Sequence, residues 1–327
     1  MADLQLTFAS QDYDHTRALF DGRVQIPGVK LQLLDLFPPD NFRRMVSTQE
    51  FHTGELALTV FFSFTDRGDN PFVAIPVFPA RTFRHSAIYV RNDGSVRAPR
   101  DLIGKNIGEF NFYGTDAALW AKGMLSDEYG VRPDAYRHFI GGIGKPYEPP
   151  SWLPMRPPAR VKVEHIGNRT LDDLLEQGEI DAILSPHAPA GLSKRPATAR
   201  RLFEDYEQVE RAWFAKTRIF PIMHTFVIRR DVYEQNRWLA RALFDALKQA
   251  KKFAMDRFRP PARGSVMPWL APHAQSVIEL MGEDWWPYGI AANRHTLETF
   301  ARYHHQQGLT RRELRVDELF APETLDD

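Results

Sequence analysis

A chain of 327 residues with 42 basic and 42 acidic side chains offers no bulk field for nucleic acid or an anionic membrane surface. The absence of cysteine removes disulfides, thiolate zinc sites and a cysteine nucleophile. The hydrophobic content of 43% supports large cores, yet no run of about 18 apolar residues exists, so we expect about two domains or lobes and no membrane span.

Leu4–Ala9 alternates Leu, Leu and Phe with polar residues and predicts a first strand. With no basic segment and apolar stretch before it, the expected location is cytoplasmic. Ser10, Asp12, Asp14, His15 and Arg17 crowd the carboxyl end of this strand, where α/β sheets bind ligands. Asp12 or Asp14 could equally cap a helix. Val29–Leu36 predicts a second strand, Asp40–Thr48 a helix, and Leu56–Phe62 a third strand with Glu55 just before it.

The stretch Phe72–Arg91 sets two apolar runs around a basic turn that holds Arg81, Arg84 and His85. Rigid strand ends would make these three an anion site; otherwise they form a hairpin with solvated arginines. A strand at Lys105–Phe110 leads through Asn111 to Thr115, the expected N-cap of a helix over Asp116–Tyr129. That helix start is an anion site by geometry or a plainly capped end. Gly141–Pro158 reads as a long loop, either a lid or a surface excursion. Strands at Val161–Ile166 and Ile180–Ser185 follow, the latter ending in Pro186-His187. After a helix over Leu202–Ala215, an apolar run around His224 predicts another strand. Trp238–Phe258 predicts the longest helix, with Leu239, Leu243, Leu247, Ala250 and Phe253 on one face.

Strands alternate with helices on both sides of Phe72–Arg91, so the fold class is α/β. We expect two lobes joined by crossing strands. Residues 1–91 and 220–327 would form one discontinuous lobe and residues 92–219 the other, with the ligand cleft between them. No Gly-rich dinucleotide fingerprint, P-loop, HExxH pair or GxSxG turn is present. His52, Glu55, His187 and His224 could converge on a metal only through the fold, so no metal ligand is assigned.

The strings FVAIPVFPARTFRHSAIYVR, LSDEYGV, GEIDAILSPHAP, IFPIMHTFVIRRDVYE, MGEDWWPYGIAANRHTLETFARYHHQQGL and ELFAPETLDD, in that order over nearly the whole chain, resemble 4,5-dihydroxyphthalate decarboxylases. The resemblance implies a two-lobed periplasmic-binding-protein type II fold and non-oxidative decarboxylation of a hydroxylated phthalate-like acid. It departs at Asn111, where the family commonly has a glutamate, and at His187, where it often has an arginine. The implied partner is a small aromatic carboxylate, not nucleic acid or membrane. A homo-oligomer and a divalent metal stay open.

Such chemistry needs no obligatory cofactor, because a dienone-like intermediate holds the electrons. It needs cations for the carboxylate that stays, a desolvated slot for the one that leaves, and groups that titrate near neutrality. Arg81 and Arg84 are the candidates for the retained carboxylate. His187, His224 and His85 are the acid/base candidates. Thr115, Asn111, Asp12, Asp14 and Glu55 are expected to line the site, and Trp286 to stack on the ring or to pack in the core. The alternative is a solute-binding protein of the same fold that captures an aromatic or other small carboxylic acid without chemistry. A pyrimidine-precursor synthase on this fold is disfavoured by the absence of cysteine.

Overall fold

A computed structural model describes residues 3–153, 157–262 and 264–326. The chain folds as two compact units. Residues 3–81, 224–297 and 315–326 belong to the first, and residues 82–223 and 298–314 to the second. These boundaries differ from the expected ones: 82–91 and 220–223 lie in the second unit, as does most of helix Arg294–Gln306. Part of the expected loop at Gly141–Pro158, residues 154–156, lies outside the described residues.

The first unit begins with β1 (Leu4–Ser10), α1 (Arg17–Phe20), β2 (Val29–Asp35), α2 (Pro38–Thr48), β3 (Thr53–Ala57), α3 (Leu58–Arg67) and β4 (Phe72–Ile75). The second holds β5 (Ile88–Arg91), β6 (Asn106–Phe110), α4 (Asp116–Tyr129), β7 (Arg137–Gly142), β8 (Val163–Thr170), α5 (Leu171–Gln177), β9 (Ala182–Leu184), β10 (Ala199–Arg201) and α6 (Tyr206–Thr217). The chain then supplies β11 (His224–Arg229), α7 (Arg230–Gln235), α8 (Trp238–Phe258) and α9 (Leu270–Met281) to the first unit, before α10 (Arg294–Gln306).

Each unit is built on one sheet, and the two sheets share a plan. The first runs β2-β1-β3-β11-β4, the second β10-β5-β9-β6-β7-β8. In each, one strand from a distant part of the chain inserts antiparallel among strands that otherwise run parallel: β11 between β3 and β4, β5 between β9 and β10. Of the two readings of Phe72–Arg91, the hairpin does not form. β4 pairs with β11 and β5 with β9 and β10, in different sheets, and His85–Ala87 is a 3-10 turn rather than strand.

The expected strand Leu56–Phe62 is corrected as well. β3 ends at Ala57 and Leu58–Phe64 is helical. Every residue from Leu58 to Phe64 is buried, so no apolar stripe betrays the 3.6-residue period, and β-branched and aromatic composition misleads. Helix α8 has the expected bounds. Its Leu239, Leu243, Leu247 and Ala250 pack on Phe8, Ile75, Phe226 and Ile228 of the first sheet, each fully buried leucine contributing about 1.5–3 kcal/mol. Phe253 leaves that face and lies exposed beside the Arg23 guanidinium. In the second unit Leu171, Leu174 and Leu175 of α5 cover Tyr89, Phe139 and Ile183. Among the described residues no helix is long and apolar enough to cross a membrane.

Candidate active site

In the first sheet, the carboxyl ends of β1 and β3 and the start of antiparallel β11 fall at one edge. Glu55 pairs across from Phe226 and Ala57 from His224. Side chains two apart on a strand share a face, so His224 and Glu55 are diagonal neighbours on one side of the sheet. The His224 Nδ1 lies 2.5 Å from Glu55 Oε1. β1 lies alongside β3 with Ala9 opposite Gly54, which brings Ser10 next to Glu55. The fit is tight: a Cβ on Gly54 would come within 2.7 Å of the Ala9 carbonyl oxygen. Asn41 on α2 donates to the carbonyls of Ala9 and Glu55, both at 3.0 Å, and clamps the two strand ends.

Glu55 is fully buried and is served by donors on both oxygens. Tyr13 Oη donates to Oε1 at 2.7 Å; Ser10 Oγ and the Gln11 amide reach Oε2 at 3.4 and 3.5 Å. Burial, followed by the Glu55 charge and hydrogen bond, pushes the Tyr13 phenol far above its ordinary pKa, so it stays a donor. A carboxylate acceptor at Nδ1 places the proton there and leaves Nε2 of His224 as the exchanging nitrogen. That Nε2 has no hydrogen-bond partner among the described residues, and the His224 side chain keeps 17% of its exposure. Phe42 abuts the ring edge-on at 4.9 Å.

The other expected residues of this unit divide. Asp12 pairs with Arg17 at 2.9 Å on the surface. Asp14 holds His15 Nδ1 at 3.0 Å, and that bond keeps its carboxyl below the ordinary range. Trp286 donates its indole N–H to the Phe78 carbonyl at 2.9 Å and tilts against His15 at 5.1 Å. Arg81 is almost wholly buried. It donates to the Pro287 carbonyl at 2.8 Å and to Asn293 Oδ1, tying down the segment after Trp286. Burial lowers its pKa to about 9, against the pull of Tyr288 and Asp284. These bonds give Arg81 a structural task in place of the carboxylate contact expected of it. His52 is likewise occupied, its Nδ1 taking the Thr7 amide at 3.0 Å.

In the second unit Arg84 lies 2.9 Å from Met223 Sδ, and its Nε–H has no partner among the described residues. Burial lowers its pKa to about 10, opposed by Asp116 and Glu210. The exposed His187 stands edge-on to Phe110 at 5.0 Å; partial burial and the Arg84 charge lower its pKa. Thr115 caps α4, accepting from the Ala118 amide at 3.4 Å. Asn111 sits at φ 64°, and its amide donates to the Gly141 carbonyl at 2.7 Å. Asparagine adopts this left-handed conformation more readily than glutamate, a backbone reason for the residue found there. His85 is sealed between Phe203 and Trp213, with both ring nitrogens unpartnered, and burial lowers its pKa to about 4. A neutral, enclosed ring does not suit the acid/base assistance expected of it.

Sequence reasoning missed two features. Tyr13 carried no signal beyond its place in the polar stretch after β1. The other is a buried cluster in the second unit: Lys122 Nζ lies 2.9 Å from both Glu109 oxygens, and His138 Nδ1 3.3 Å from Oε2. A glutamate in a buried strand and a lysine between Ala118, Ala121 and Leu125 on an apolar helix face were legible signs of it. Among the described residues no three His, Asp or Glu side chains converge to hold a metal ion.

Comparison with solved structures shows the fold. Periplasmic aliphatic sulphonate binding protein SsuA from Escherichia coli is 11% identical, with a TM-score of 0.53 over 99% of this chain and 94% of that one. A periplasmic sulfonate-binding SsuA from Methylobacillus flagellatus is 14% identical, with a TM-score of 0.56 over 98% and 93%. The molecule thus has the type II periplasmic-binding-protein fold expected from the sequence. No family model matches the chain. Among curated proteins, a 4,5-dihydroxyphthalate decarboxylase from Comamonas testosteroni is 36% identical over 100% of this chain and 99% of its own length. One from Pseudomonas putida is 33% identical over 65% and 83%. The chain belongs to the 4,5-dihydroxyphthalate decarboxylase family, a carboxy-lyase on a binding-protein fold.

Proposed function

We propose that the chain removes one carboxylate as CO2 from 4,5-dihydroxyphthalate or a closely related hydroxylated phthalate, without a change of oxidation state. The observation that carries this reading is His224, held at Nδ1 by buried Glu55 and unspent at Nε2. In such an acid each carboxylate stands para to a hydroxyl. His224 takes the phenolic proton, and a proton is added to the ring carbon that bears the departing carboxylate. The C–C bond then breaks, its electron pair restores the aromatic ring, and the oxygen recovers its proton. The sum is one carboxylate and one proton converted to one ring C–H and CO2, with the dienone serving as electron store and no cofactor called upon.

The test is CO2 release from a panel of phthalate-type acids by the purified protein and by His224→Gln. We expect release from 4,5-dihydroxyphthalate and a loss of about 100-fold or more in the variant, with thermal unfolding unchanged. Binding of the acid without CO2 release would instead favour a solute-binding protein.

A further inference from the structure

The decarboxylation proposed above moves a proton at two places on opposite sides of one ring, the phenolic oxygen and the carbon that loses CO2. One imidazole nitrogen does not reach both. We propose that His15 is the second proton-exchanging residue, delivering the proton to the ring carbon while His224 serves the hydroxyl; the inference rests on that reading.

The two histidines are held in the same manner. Each gives one nitrogen to a carboxylate: His224 to Glu55 at 2.5 Å, His15 to Asp14 at 3.0 Å. Each leaves its Nε2 without a hydrogen-bond partner among the described residues. For His15 that nitrogen is buried in a residue only 7% exposed, so as a purely structural group it would sacrifice a hydrogen bond. The ring is also held by two aromatic neighbours. Tyr13 stacks on it at 5.2 Å and 20°, and Trp286, pinned by its bond to Phe78, tilts against it at 5.1 Å.

Tyr13 joins the two dyads. Its ring lies on His15, and its hydroxyl donates to the same Glu55 oxygen that meets His224. The spacing between the dyads is therefore set by one aromatic side chain. Phenylalanine would meet the stacking alone; the carboxylate-bound imidazole adds a nitrogen, Nε2, that nothing else engages among the described residues.

The experiment compares His15→Phe, which keeps the stack, and Asp14→Asn, altered at an exposed carboxylate, with the unmodified protein. CO2 release is followed as kcat and KM, and turnover in D2O is analysed for ring deuterium. We expect His15→Phe to lose about 100-fold in kcat with KM within about threefold. Asp14→Asn should lose about tenfold in kcat, also at unchanged KM. Should His15→Phe not fold, Asp14→Asn decides alone. Normal kcat in either folded variant, or loss confined to KM, would overturn the proposal. An unmodified protein that releases no CO2 would overturn the decarboxylase reading itself, an outcome distinct from an active enzyme indifferent to His15.

Discussion

Each unit buries a glutamate on a strand beside a histidine, yet the two clusters are finished differently. In the second unit Glu109, Lys122 and His138 are all fully buried. His138 spends both nitrogens, Nδ1 on Glu109 and Nε2 on the Pro133 carbonyl at 2.8 Å. The Gly114 amide adds another donor to Glu109 at 2.7 Å, and the Tyr113 ring lies 3.6 Å from the lysine nitrogen. Burial opposes the charge on Glu109, but Lys122 and His138 outweigh it and hold the carboxyl below its ordinary range. In the first unit Glu55 is equally buried, but its neutral donors and half-spent histidine leave one nitrogen available. The contrast is between a cluster whose donors and acceptors are all matched and one that holds a carboxylate-bound imidazole with a nitrogen to spare.

The largest effect that could break this contrast concerns stability. Lys122→Met leaves the Glu109 carboxylate buried without its cation and should cost about 3–5 kcal/mol in urea unfolding. Adding Glu109→Leu should recover much of the loss. A single variant as stable as the parent would mean that the cluster is not the sealed ion pair described.

His85 offers a third environment, a buried imidazole with no carboxylate at all. Its folded pKa of about 4 lies below the ordinary 6.5, so between those values the unfolded chain binds more protons than the folded one. Its contribution is fully present above pH 6.5 and is lost as pH falls toward 4, by up to about 1.4 kcal/mol per pH unit. Unfolding free energies at pH 7 and pH 5 should therefore differ less in His85→Phe than in the parent. Equal slopes would remove the buried-neutral description.

The smallest expected effect sharpens the open cluster. Tyr13→Phe keeps the stack on His15 but removes one donor from Glu55. We expect about a tenfold fall in kcat, equivalent to about 1.4 kcal/mol, with KM unchanged. A variant with normal kcat would show that Glu55 orients His224 without help.

Local patterns carried much of the fold. Apolar spacing marked α8 at its observed bounds, because it presents a stripe with helical period; α4 also has its expected bounds, although it is buried all round from Asp116 to Leu125. The same logic failed at α3, likewise buried all round, whose β-branched and aromatic residues read as strand. For the site, residue type and position at strand ends drew attention to His224, Glu55 and Asp14. They also drew it to Arg81 and His85, which the fold occupies or encloses.

The sequence by itself determined the alternation of strands and helices, the absence of cysteine chemistry, the family likeness, and the polar cluster after β1. Tertiary structure alone decided which of those polar groups meet. Tyr13 meets Glu55 across 42 residues of chain, and His224 meets the same carboxylate across 169. The His224 contact depends on the register of β11 against β3, and the Tyr13 contact on the pairing of β1 with β3. Such pairing is set by non-local burial and hydrogen bonding, which no local periodicity encodes.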